Sequence, residues 1–171
     1  MSPISPLNEI WQNYQLATDC FKITRRTLVK GDVGLLSNTG FAAASLEDAD
    51  RIIVKGRNEW DDFVILSLWA VFERLIIDFV REKAKILLDQ HPRQFTEKLH
   101  GLVDGQIEFW KIGDKLDLFK GVVDVELIGQ AKQIKYYRDW IVHKSKIPAA
   151  NVTPIQAYNV LHRIVTTISA L

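Results

Sequence analysis

The segment that most limits what this chain can become is an apolar run inside a long helical pattern, from Asn58 to about Gln90. Between Phe63 and Phe72 every residue except Ser67 is apolar. That is too wide for a helix that buries a single stripe and wets the rest. Such a helix is either central in a bundle or shared between its own core and a partner subunit. A membrane span would need about 20 apolar residues, and the charged pairs Asp61-Asp62 and Glu73-Arg74 bracket a much shorter stretch. The run is read as core, and no membrane contact is expected.

The rest of the pattern is helical too. Residues 1–7 carry two prolines and two serines and read as a loose arm. From Asn8 the apolar positions Ile10, Trp11, Tyr14, Leu16, Ala17, Phe21 and Leu28 recur mostly at three and four, which predicts a helix to about Lys30. Gly31 to Gly40 reads as a loop. Ser45 with Asp48 three residues on is a helix start, the serine capping and the acid in the first turn; that helix is expected to end near Gly56. Asn58 is the cap expected for the long pattern, which His91-Pro92 breaks. A short helix should follow from Pro92 to His100. Gly101 to Gly121 is harder to read, with a helical turn or two expected over Lys115 to Lys120. From Asp124 the set Val125, Leu127, Ile128, Ala131, Ile134, Tyr137 and Ile141 gives another helix. After a loop over 146–152, Thr153-Pro154 makes a cap and first position for the last one. The expected fold is all-α: a mostly antiparallel bundle of four to five main helices with one or two short extra ones. At 171 residues it is read as one domain.

Bulk charge narrows the function. A net charge of +1 with 25% charged residues gives no broad field toward nucleic acid, so any such contact must be a local patch. The single Cys20 excludes an intrachain disulfide framework and suits a reducing compartment. With no basic segment and apolar core at the N-terminus to suggest a signal peptide, the expected location is cytoplasmic.

One stretch carries chemistry: Tyr136-Tyr137-Arg138-Asp139-Trp140-Ile141-Val142-His143-Lys144. It puts a permanent cation and a group that titrates near neutrality on adjacent turns. On an ideal helix Arg138 and His143 lie roughly 140° apart and ~7.5 Å along the axis, so they do not share a face. Either the helix frays at His143, or each residue works with the same pair from a second copy.

The stretch resembles the signature of the HEPN superfamily (higher eukaryotes and prokaryotes nucleotide-binding), an Arg followed after four to six residues by His. Asp139 directly after Arg138 matches the polar residue often found there. Val71-Phe72-Glu73-Arg74-Leu75 is similar to the apolar-Glu-apolar segment on an earlier helix of many relatives, and the resemblance runs from about Leu46 to the C-terminus. It implies a metal-independent endoribonuclease, a toxin or defence effector restrained by an antitoxin or regulatory protein, with its site where two copies of the motif meet in a homodimer.

The chemistry suits those residue types. RNA supplies its own nucleophile, the 2′-hydroxyl. A histidine can take that proton or give one to the leaving oxygen. An arginine can hold the phosphate with two parallel hydrogen bonds as charge builds up. His143 and Arg138 are therefore the expected catalytic pair, with no cofactor and no metal. Asp139 is expected to orient His143 or Arg138, and Glu73 to tether Arg138 from the neighbouring helix. Lys135 and Lys144, with Lys132, are candidate phosphate contacts, although a charge run on a helix is usually a solvated face. Some HEPN toxins carry a tyrosine two residues after the histidine, which a partner nucleotidyltransferase modifies; Ser145 stands there, which counts against that control. The alternative is a non-catalytic HEPN-like dimeric module that binds a protein or nucleic acid. In that reading His143 merely meets the last helix carbonyls, and Glu73 and Arg138 form a structural ion pair.

Overall fold

The computed structural model describes residues 5–143 and 151–171, the Val33 side chain excepted. Helix α1 (Pro6–Lys30) starts inside the expected arm. Pro6 takes a first-turn position, where a missing N–H costs nothing, and Leu7 is wholly buried. From Pro6 on, the arm is therefore part of the core. Gly31 ends α1 at φ 67°, a left-handed conformation that favours glycine. Its N–H reaches the Leu28 carbonyl at 3.0 Å. A single turn, α2 (Val33–Leu36), stands in the expected loop, capped by the Asp32 carboxylate.

Helix α3 (Leu46–Ala84) is one uninterrupted element of 39 residues. Its start is the expected one, with the Ser45 hydroxyl accepting from the Asp48 N–H at 3.1 Å. The break expected at Gly56 to Asn58 does not occur. A mid-helix glycine costs only about 1 kcal/mol relative to alanine, and packing offsets it. The Gly56 backbone lies against α1, where an added Cβ would meet the Phe21 ring at 3.7 Å.

After a 3₁₀ turn at Lys85–Asp89 comes α4 (Arg93–Gln106), which runs through Gly101 and Gly105 rather than stopping at His100. A second 3₁₀ turn, Ile107–Phe109, leads to α5 (Ile112–Asp117), centred earlier than the expected turn at Lys115 to Lys120. Then come α6 (Val125–His143) and α7 (Pro154–Ser169). The start of α7 is stronger than a lone cap. Thr153 accepts from the Gln156 backbone while the Gln156 side chain accepts from the Thr153 N–H at 3.0 Å, closing a capping box.

The chain is an all-α bundle built around α3, which packs against α1, α4, α6 and α7. Ile65, Leu68, Trp69, Phe72 and Ile76 of α3 are buried with Leu7, Ile128, Ile134, Leu161 and Ile164. Each such side chain contributes roughly 1.5–3 kcal/mol by leaving water. Neighbours on several sides explain the wide apolar run of α3, although Phe63 at its start stays 59% exposed. A smaller cluster of Leu28, Ala49 and Ile53, with Phe21 and Phe41 against it, holds the far part of the α1–α3 pair. Among the described residues the one β-type contact is an isolated bridge between Lys120 and Val123. No described helix is long and apolar enough to cross a membrane.

Candidate functional site

The C-terminal half of α6 is fastened to α3 by its aromatic side. Tyr137 is buried, and its hydroxyl donates to Asp62 at 3.3 Å. Burial, then the charge and hydrogen bond of Asp62, push the Tyr137 phenol up to about 12. The neighbouring Asp61 accepts from Tyr14 of α1 at 2.8 Å. Consecutive carboxylates on α3 thus hold one tyrosine each, from α1 and from α6, which fixes the rotation of α6. Trp140 stacks obliquely on Tyr137, ring centres 5.4 Å apart.

On that base sits a charged cluster. Asp139 accepts from Arg138 Nη1 at 3.0 Å through one oxygen and pairs with Lys135 Nζ at 2.6 Å through the other. Burial resists ionisation of Asp139, but hydrogen bonds from Lys135 and Arg138 outweigh it and hold its carboxyl below the ordinary range. Of the two roles expected for Asp139, the geometry gives the one toward Arg138. The Lys135 ammonium also lies 5.4 Å from the centre of the Tyr136 ring.

Helix α6 includes His143, which is exposed in its last turn. Arg138 and His143 therefore belong to one continuous helix, about 140° apart by its geometry. The two side chains leave the helix on different sides. His143 instead shares a side with Tyr136, seven residues earlier and roughly 20° away.

Glu73 is where the sequence reading fails. It was expected to tether Arg138; its partner is Lys115, whose Nζ lies 3.6 Å from Glu73 Oε1. Lys115 is 1% exposed, and its ammonium also donates to the Glu108 carbonyl at 3.3 Å. A buried ammonium requires such partners, and α5 delivers it to α3 ahead of Arg138. The sequence held a signal for it. Ile112, Lys115, Leu116 and Phe119 follow helical spacing, with the lysine in an apolar slot. Lys144 and Ser145 lie outside the described residues. Lys132 is engaged by Asp117 at 2.7 Å. Among the described residues no three His, Cys, Asp or Glu side chains gather as a metal-holding group.

No protein-family model matches the chain, and neither curated proteins nor solved structures give a match. What fold and site define together is an all-α bundle whose next-to-last helix presents an arginine and a histidine on different sides.

Proposed function

We propose that this chain is a metal-independent endoribonuclease of HEPN type, a toxin or defence effector that acts as a homodimer on RNA. The observation that carries the reading is the continuous α6 with Arg138 anchored through Asp139 and His143 exposed at its end. Two such helices meeting about a two-fold axis would offer the arginine of one copy and the histidine of the other to a common phosphate, and two-fold dimers are the commonest oligomers. In that cleft His143 moves protons and Arg138 holds the phosphate, while the substrate supplies the 2′-hydroxyl that attacks phosphorus and expels the 5′-oxygen. An antitoxin or regulatory protein would restrain the activity in the cell.

The test is incubation of the purified protein with an RNA and the DNA strand of the same sequence, in EDTA. RNA should be cut to ends bearing a 2′,3′-cyclic phosphate or its opened form, and the DNA should survive. Cleavage that disappears with EDTA and returns with Mg²⁺ would point to a different site. A specific observation also favours the second reading, a dimeric binding module without catalysis. Arg138 and His143 of one chain stand about 140° apart on the continuous α6. Intact RNA after long incubation would favour that module.

A further inference from the structure

Between α5 and α6 lies an open groove of about 430 Å³. Its lining holds Lys111, Lys132, Lys135, the Asp114 carboxylate and the Tyr136 ring, and two of the lysines are paired outside the lining with Asp117 and Asp139. We propose that this groove is a track for a single strand of RNA, a base stacked on Tyr136 and backbone phosphates held by the three lysines. The proposal rests on the ribonuclease reading and extends it from the cut phosphate to the way the strand is gripped.

The physical case is as follows. Strands are held without base reading by a basic groove that follows the phosphates and an aromatic face that takes a base. Tyr136 is 66% exposed, a large ring left in water. Single exposed aromatics are ordinary, but this one borders a groove lined by three lysines. Asp117 and Asp139 hold Lys132 and Lys135 at 2.7 and 2.6 Å. Each pairing uses one N–H of an ammonium that has three, so the carboxylates position the lysines and leave donors for phosphate. Lys111 has no carboxylate partner among the described residues. Tyr136 and His143 share a side of α6, ~10.5 Å apart along the axis, so a strand lying along that side would reach both. An overall charge of +1 makes such a local patch the available route for a polyanion.

Gly113 gives a clean way to close the track. It lines the groove, and an added Cβ there would meet nothing within 4 Å. Gly113→Glu would bring a carboxylate to the groove from a position with room for its Cβ, and glutamate suits a helix better than glycine.

The experiment is fluorescence anisotropy of a labelled strand of about ten nucleotides, with His143→Ala protein so that RNA persists. Tyr136→Ala should weaken binding on the order of tenfold and Tyr136→Phe hardly at all, because stacking needs only the ring. Lys111→Ala should reduce the salt slope by about 0.7, one phosphate's share for a single strand. Gly113→Glu, with an unchanged circular dichroism spectrum, should weaken binding at least about tenfold. A DNA strand should bind like RNA, since neither stacking nor phosphate contact senses the 2′-hydroxyl. Parent-like affinity in both Tyr136→Ala and Gly113→Glu overturns the track, even if the protein cleaves RNA. So does the absence of any strand binding, or tighter binding of an oligoglutamate peptide than of either strand. Loss of strand binding in the groove variants of a protein whose wild type cuts nothing upholds the track and sinks the ribonuclease reading instead.

Discussion

Lys115 and Glu73 form an ion pair across α5 and α3, Nζ to Oε1 at 3.6 Å, with the lysine almost wholly shut off from water. Removing the acid strands a buried cation on one backbone carbonyl, whereas removing the lysine leaves a carboxylate that already reaches solvent. Glu73→Ala should therefore lower stability by about 1–3 kcal/mol, and Lys115→Met by less. Urea denaturation of the two variants and their double mutant measures this. A Glu73→Ala protein as stable as wild type would show that the pair contributes nothing.

The Tyr137–Asp62 bond gives a prediction at high pH. Because the native phenol is pushed up to about 12, above the ordinary value near 10, the folded state favours the protonated form. The resulting stabilisation is complete below about pH 10 and disappears as pH rises toward about 12. Denaturation midpoints taken across that window should fall more steeply for wild type than for Tyr137→Phe. Parallel curves would mean that the hydroxyl ionises as freely in the native state as in the unfolded one.

The bundle itself was readable because its signals are local and repeated: apolar positions at three and four, Ser45 and Thr153 as caps, Pro154 in the first turn of α7. What misled was glycine. Gly56, Gly101 and Gly105 all sit inside helices, since a cost near 1 kcal/mol per glycine is easily outweighed by tertiary packing that a linear pattern does not contain. The place of Arg138 and His143 on α6 was likewise local information. Which cation Glu73 would meet was not. It depends on how the segment around Lys115 folds back onto α3, and that segment, with its interspersed glycines, had the weakest periodicity in the chain.

The dimer makes a separate prediction. If each cleft takes Arg138 from one copy and His143 from the other, a mixture of Arg138→Ala and His143→Ala proteins should regain activity that neither has alone. Random exchange makes half the dimers mixed, with one of two clefts intact, so recovery should reach about a quarter of the wild-type rate. Sedimentation at tens of micromolar (roughly where a stable two-fold contact should persist) should give the dimer mass. A monomer there, together with no recovery on mixing, would remove the composite cleft.

The ribonuclease reading meets its hardest trial in single-turnover cleavage of one defined RNA, in EDTA, by wild type, His143→Ala and Arg138→Ala purified in the same way. With His143 as the proton-transfer group and Arg138 as the phosphate clamp, each variant should remain folded and cleave ~100- to ~10,000-fold more slowly. Cleavage by His143→Ala at the wild-type rate, with contaminating nuclease excluded, would contradict it.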